Sequence, residues 1–247
     1  MLARETGRHG SESPTSCPAG ATYTGDSPLG AALYASQLDD TWRQGYLNLG
    51  YRQDALTLDG NLYRTLDQGD ARAGATDTLA WSLLAKYRIG NQALTLAFQK
   101  VRGDTPFDFV GGDSIYLANS IKFADFNGPH ERSWQARYDL DLAPLGVPGM
   151  TFMTRYVSGR GIDGSHAPAG GAYNPLDLAS GVPVPQQGKG GRHWERDIDL
   201  RYVFPSGPAK DLALYLSRVS HRGNDAQAAA DIDRLYLILE YPLKGWF

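Results

Sequence analysis

The chain has 247 residues, a formal charge of −3, 42% hydrophobic and 21% charged residues. No apolar run approaches the roughly 18 residues of a membrane helix, and the charge balance excludes a nucleic-acid binder, which would be basic. The single cysteine, Cys17, excludes an internal disulfide.

Residues 1–28 are rich in Gly, Ser, Thr and Pro and show no alternation, so they read as a disordered or atypical leader. Met1–Gly10 has neither the apolar core nor the cleavage site of a signal peptide. Between residues 29 and 247, segments in which apolar and polar residues alternate with period two recur with a regular rhythm. The predicted strands are Leu29–Leu38, Trp42–Arg52, Ala55–Thr65, Thr78–Ile89, Gln92–Arg102, Arg132–Leu142, Gly149–Val157, Trp194–Phe204, Ala209–Arg218 and Asp233–Trp246. Most have the roughly 9–11 residues of a membrane-crossing strand, longer than the ~5–6 usual in a soluble sheet. A mean hydropathy of −0.39 is compatible with such strands, because alternation hides them from a hydropathy scan.

Connection lengths alternate too. Gln53-Asp54, Gly90-Asn91, Ala143–Pro148 and Pro205–Pro208 are short, whereas Leu66–Asp77, Gly103–Glu131, Ser158–His193 and Val219–Ile232 are long. Asp39–Thr41 is a short link on the long side. Turns on one rim and loops on the other are the asymmetry of an outer-membrane barrel. The expected fold is therefore all-β: an antiparallel transmembrane β-barrel.

The two parities sort by chemistry. One carries Leu47, Leu49, Trp81, Leu83, Leu94, Leu96, Leu214 and Leu216, among others. The other carries Arg52, Lys86, Arg88, Arg137, Arg155 and Arg201 together with Asp139, Asp141, Glu195, Asp197 and Asp199. A dry core does not hold that many charges unless they are paired; a watery lumen does. The six basic residues are the candidate solute-binding set, because a guanidinium holds a carboxylate through two parallel hydrogen bonds. Pairing with the lumenal carboxylates, as wall braces, is the competing role for each. Gly103–Glu131 is the candidate constriction loop, with Asp104, Asp108 and Asp113 making it acidic and Phe107, Phe109 and Tyr116 able to pack it on the wall. An acidic loop opposite a basic wall would favour zwitterions.

Several separated segments resemble one family. Residues 104–141, DTPFDFVGGDSIYLANSIKFADFNGPHERSWQARYDLD, resemble the OprD family of substrate-specific outer-membrane porins. So do VPGMTFMTRYVSG at 147–159, HWERDIDLRYVFPSGPAKDLALYLS at 193–217 and RLYLILEYPL at 234–243. The resemblance implies an 18-stranded barrel, of which about ten strands lie here, and passive uptake of small carboxylate-bearing solutes such as basic amino acids or aromatic acids. It implies a Gram-negative outer-membrane location, contact with outer-membrane lipid, and recognition by the barrel-assembly machinery through a terminal strand ending at Phe247. A homotrimer is one assembly the family offers. Members carry a signal peptide and about eight strands ahead of the matched region, so this chain resembles a C-terminal portion. An open ten-stranded sheet leaves unpaired backbone groups in hydrocarbon, and the 247-residue chain by itself is expected not to conduct.

No enzyme, cofactor or metal is expected. His9, His130, His166, His193 and His221 all fall in expected loops or the leader, and His193 near Glu195 and Asp197 reads as a solvated cluster. No G-x-S-x-G, H-E-x-x-H or nucleotide-binding glycine pattern occurs. Asp197-Ile198-Asp199 falls short of a calcium loop. The alternatives are a soluble β-rich binding module and a non-functional porin remnant.

Overall fold

Alternation at this length has one outcome when the apolar parity meets no second layer: a single sheet whose two faces differ. The computed structural model describes residues 18–110 and 115–242. It contains β1 (Ala19–Thr24), β2 (Leu29–Leu38), β3 (Trp42–Gln53), β4 (Leu56–Asp67), β5 (Asp77–Ile89), β6 (Gln92–Arg102), β7 (Arg132–Asp141), β8 (Met150–Asp163), β9 (Lys189–Val203), β10 (Ala213–Gly223) and β11 (Ile232–Glu240). Every strand pairs antiparallel with its sequence neighbours, giving one meander in the order β1 to β11. Among the described residues β1 and β11 do not pair, so the wall is open at both edges. One short 3-10 turn, Ala143–Leu145, joins β7 to β8.

The outward parity is the leucine parity. Leu96 stands 64% exposed while its neighbours Thr95 and Ala97 are buried, and Leu235 and Leu237 stand 71% and 70% exposed. Leucines this exposed on a continuous face, with polar residues opposite, are inverted relative to a soluble protein and match a lipid-facing wall. Ring pairs lie on that outward face, Trp81 on Phe98 at 5.3 Å and Phe98 on Trp134 at 4.5 Å between centroids.

The leader reading needs correction. Residues 19–24 form β1, paired with β2 from Ala19↔Ala35 to Thr24↔Gly30, so the described strands number eleven rather than ten. AGATYT carries only one large apolar side chain, and its pairing comes from backbone groups that β2 offers, which no periodicity reveals. Residues 1–17 lie outside the described residues. Three strands also reach further toward the long loops than expected: β8 continues to Asp163, β9 starts at Lys189, and β10 spans Ala213–Gly223. The extensions of β8 and β9, SGRGID and KGGRH, are glycine-rich, and a β-bulge at Arg160–Asp163 interrupts the register there; that of β10, VSHRG, buries Val219 and His221 in alternation with Ser220 and Arg222. At the other end β11 stops at Glu240, short of the expected Trp246; residues 243–247, with Phe247, lie outside the described residues.

The short turns 54–55, 90–91, 142–149 and 204–212 share one rim. There Gly90 takes φ 58° and Gly149 φ 85°, backbone that favours glycine. The long loops share the other rim and bond to one another. Ala172 N–H donates to the Ala73 carbonyl at 3.0 Å, and Gly188 N–H to the Ala226 carbonyl at 2.7 Å.

Candidate functional site

The loop between β6 and β7 turns inward and lies across the inner face of the wall. Its backbone is held by polar strand side chains that would otherwise point into the lumen. Tyr116 N–H donates to the Tyr63 hydroxyl (3.2 Å), Ala118 N–H to Ser82 Oγ (3.0 Å) and Asn119 N–H to Gln99 Oε1 (2.8 Å). The Gln99 amide in turn donates to the Asp125 and Phe126 carbonyls, both at 2.9 Å. On β9 the fully buried Glu195 carboxylate accepts the Phe123 and Ala124 N–H groups at 3.0 and 2.7 Å. Phe107 and Leu117 pack against Tyr46, Tyr63, Ala80 and Val101, while Ala124 and Phe126 pack on Val157. The close approach needs Gly159, where a Cβ would stand 1.9 Å from Glu131 Oε1 and 2.7 Å from the Phe126 ring.

The loop's foot carries a buried polar chain. Glu131 Oε1 lies 2.7 Å from His193 Nε2, His193 Nδ1 lies 2.9 Å from His221 Nε2, and His221 Nδ1 lies 3.0 Å from the Ala230 carbonyl. Phe126 stacks on His193 at 4.2 Å. His193 and His221 were expected in loops; they lie in β9 and β10 and are buried. His193 bonds to Glu131 and His221 rather than to Glu195 or Asp197.

The basic residues fall on the inner face, as their parity requires. Register places Arg52, Thr57, Lys86, Thr95, Arg137, Arg155 and Asp197 directly opposite one another across β3 to β9. With strands ~4.8 Å apart and tilted about 40°, such a row climbs roughly 3 Å per strand. The row therefore spirals along the bore. A concavity of about 720 Å³ brings Lys86, Arg88, Arg137, Arg155 and Arg201 together with Lys122 of the loop. Arg52 belongs to the row but not to that concavity.

Bracing and availability divide the set. Arg137 holds Asp139 through Nε (2.9 Å) and Nη2 (2.6 Å). Arg155 holds the buried Asp197 at 3.0 and 2.5 Å. Lys86, Arg88, Arg201 and Arg52 form no ion pair among the described residues.

Lys122 carried no sequence signal beyond being the one cation in the loop. It bonds to Asp199 and donates to the Tyr215 hydroxyl (2.8 Å) and Ser217 Oγ (2.7 Å). Burial pulls its pKa down, but the hydrogen bonds to Asp199 and Tyr215 outweigh that and hold it above the ordinary lysine value.

The acidic loop residues lie elsewhere. Asp104 is exposed at the loop's start, 2.9 Å from His130 Nε2. Asp108 accepts the Phe109 N–H with its carboxylate and the Gln44 amide with its carbonyl. Burial, together with the nearby Asp108 charge, raises the Tyr173 hydroxyl pKa. Asp113 lies outside the described residues. Tyr116 stacks on Tyr46 at 5.4 Å and borders a second cleft of about 300 Å³ with Tyr34, Asn48, Asp59 and Asn61. The basic concavity thus meets the loop at Lys122, and the carboxylates lining it, Asp139, Asp141 and Asp199, come from the wall.

The arrangement has close counterparts. A family model described as outer membrane porin, OprD family, matches residues 2–245. Porin D of Pseudomonas aeruginosa is 44% identical over 239 residues, which is 91% of this chain and 52% of that protein. Porin-like protein GalP of Pseudomonas putida is 31% identical over 227 residues, 90% of this chain and 48% of that protein. The crystal structure of the outer membrane protein OprD from Pseudomonas aeruginosa superposes with a TM-score of 0.82 at 42% identity, over 92% of this chain and 59% of that one. That of Pseudomonas aeruginosa OccD3 (OpdP) does so at 0.80 and 33% identity, over 91% and 55%. The chain spans about half the length of the curated relatives it matches. The chain belongs to the OprD family of outer-membrane porins.

Proposed function

We propose that this chain supplies wall and constriction to an outer-membrane channel that passes small carboxylate-bearing solutes, basic amino acids in particular. The observation carrying this reading is the inner-face concavity with Lys86, Arg88 and Arg201 left without carboxylate partners beside the braced Arg137 and Arg155. Transport needs no bond chemistry. It needs charges that attract a solute and then release it. In a hydrated bore a charge pair at 4 Å is worth about 1 kcal/mol, enough to enrich carboxylates yet weak enough for a solute to pass from one cation to the next. The two braced arginines keep their side chains fixed, so the mobile solute exchanges among the unpaired ones. Across the loop the cleft of Tyr34, Tyr46, Tyr116 and Asp59 offers oxygen acceptors and ring faces to an ammonium or guanidinium, which favours basic amino acids over aromatic acids.

The test uses a complete barrel carrying this chain as its C-terminal wall, reconstituted in liposomes. The triple change Lys86→Gln, Arg88→Gln, Arg201→Gln should lower the swelling rate with arginine several-fold and leave a neutral sugar of similar size unaffected. Equal losses for both solutes would contradict the reading.

A further inference from the structure

The outward face carries charge as well as leucine, and on β7 to β10 its arginines run from mid-strand, at Arg196 and Arg218, to the long-loop rim. On β7, β8 and β9 the exposed Arg132, Arg160 and Arg192 oppose one another directly, Arg132↔Arg160 and Arg160↔Arg192. Like charges in opposed positions repel, and none of the three has a carboxylate partner among the described residues. The adjacent outward row is aromatic: Phe98↔Trp134, then Trp134↔Ser158 and Ser158↔Trp194. An aromatic row marks the membrane–water interface. The arginines stand one step beyond it, at headgroup depth on the long-loop side.

Beside them, between β9, β10 and β11, lies a cleft of about 260 Å³ lined by Trp194, Arg196, Arg218, Arg222 and Asp233. Asp233 reaches Arg222 at 2.5 Å and Arg218 at 3.8 Å, and Asp231 reaches Arg222 at 4.0 Å. Arg196 has no ion-pair partner among the described residues. Two exposed carboxylates against three arginines, beside three further arginines with none, leave an uncompensated positive field. The opposite rim differs: its outward positions carry Tyr87, Tyr138, Phe152 and Tyr202, and no described strand residue there presents an outward lysine or arginine.

We propose that this outward arginine patch is a docking site for phosphorylated headgroups of outer-leaflet lipid, seated against the β7–β11 wall with their phosphates in the arginine row and cleft. The proposal rests on the membrane-wall reading but not on transport. Guanidinium groups match phosphate oxygens in pairs, and a lipid phosphate brings the counter-charge that the wall itself lacks. Trp194 offers its ring to the acyl boundary, with the Arg222 guanidinium 6.0 Å from the ring centre.

Native mass spectrometry of a complete barrel carrying this chain as its C-terminal wall, in dodecyl maltoside micelles, tests this. Diphosphoryl lipid A should form adducts at least tenfold more readily than the same lipid stripped of phosphate, and millimolar inorganic phosphate should not displace it. The triple change Arg196→Gln, Arg218→Gln, Arg222→Gln should cut the adducts about tenfold. Arg196→Gln alone should cut them several-fold, with the circular-dichroism spectrum unchanged. Lys210→Gln, which removes a cation from the short-turn rim, should leave them as they were. Equal binding of phosphorylated and dephosphorylated lipid would overturn the site, as would full displacement by inorganic phosphate or indifference to Arg196→Gln. A chain that stayed dispersed without detergent would overturn the membrane reading itself, and failed solute selectivity in the complete barrel would leave the lipid result standing.

Discussion

At the scale of single residues, the buried chain Glu131–His193–His221 follows from donor counting. The Ala230 carbonyl only accepts, so His221 Nδ1 must carry a proton. With a neutral His221, its Nε2 accepts from His193 Nδ1–H. His193 Nε2 then faces the Glu131 carboxyl at 2.7 Å, and one proton must sit between them. An amide satisfies the same geometry, because a glutamine N–H donates to the ring nitrogen and its carbonyl still accepts the Gly128 N–H that Glu131 now takes at 2.9 Å. Glu131→Gln is therefore expected to leave the loop in place. Glu131→Ala strands a buried imidazole and an amide at a cost of about 1–3 kcal/mol. Hydrogen exchange at Asn127 and Gly128 should separate the two variants, and equal protection in both would refute the donor count.

At the scale of elements, the strands were legible and the loop's course was not. Strands such as β2, β6 and β3 announce themselves because alternation of leucine with polar residues depends on nothing outside the strand. β1 escaped because its pairing is backbone to backbone. The ends of β8 and β9 escaped because glycine removes the side chains that carry the period, and that of β10 because the buried position after Val219 is the polar His221. The basic row was legible by parity alone, since pleat geometry fixes the face of Lys86 or Arg155 before any fold is known. Lys122 was not legible. Its role depends on Asp199, Tyr215 and Ser217, which lie roughly 80–95 positions away and come together only when the loop folds inward. The loop's anchors look like ordinary lumenal polar residues: Gln99, Ser82 and Glu195. Of these Glu195 takes two amides at once, so Glu195→Ala should raise exchange at the Phe123 and Ala124 amides about 10–100-fold, equivalent to ~1–3 kcal/mol. Unchanged protection would mean that apolar packing of Phe126 on Val157 holds the segment unaided. The Lys122 anchor should persist across ordinary pH: a lysine held above its usual value of 10.5 loses its charge only in strongly alkaline solution.

At the scale of the whole molecule, one asymmetry organises everything else. The leucine parity looks out, the ionic parity looks in, and a single inward loop covers much of the inner face, so the concavity under Lys122 opens toward the short-turn rim. The sheet ends at β1 and β11 with unpaired edges among the described residues, and open channels are built from about 16–18 strands. β5 tests the central claim most directly, because both parities there are distinct. Spin labels at Leu83→Cys, Ala85→Cys, Lys86→Cys and Arg88→Cys, in lipid-reconstituted protein, report collision with oxygen dissolved in lipid or with a water-soluble nickel complex. The labels at positions 83 and 85 should favour oxygen, and those at 86 and 88 should favour nickel. Reversed preferences, or labels on both parities equally open to nickel, would contradict a wall with lipid outside and a hydrated bore within.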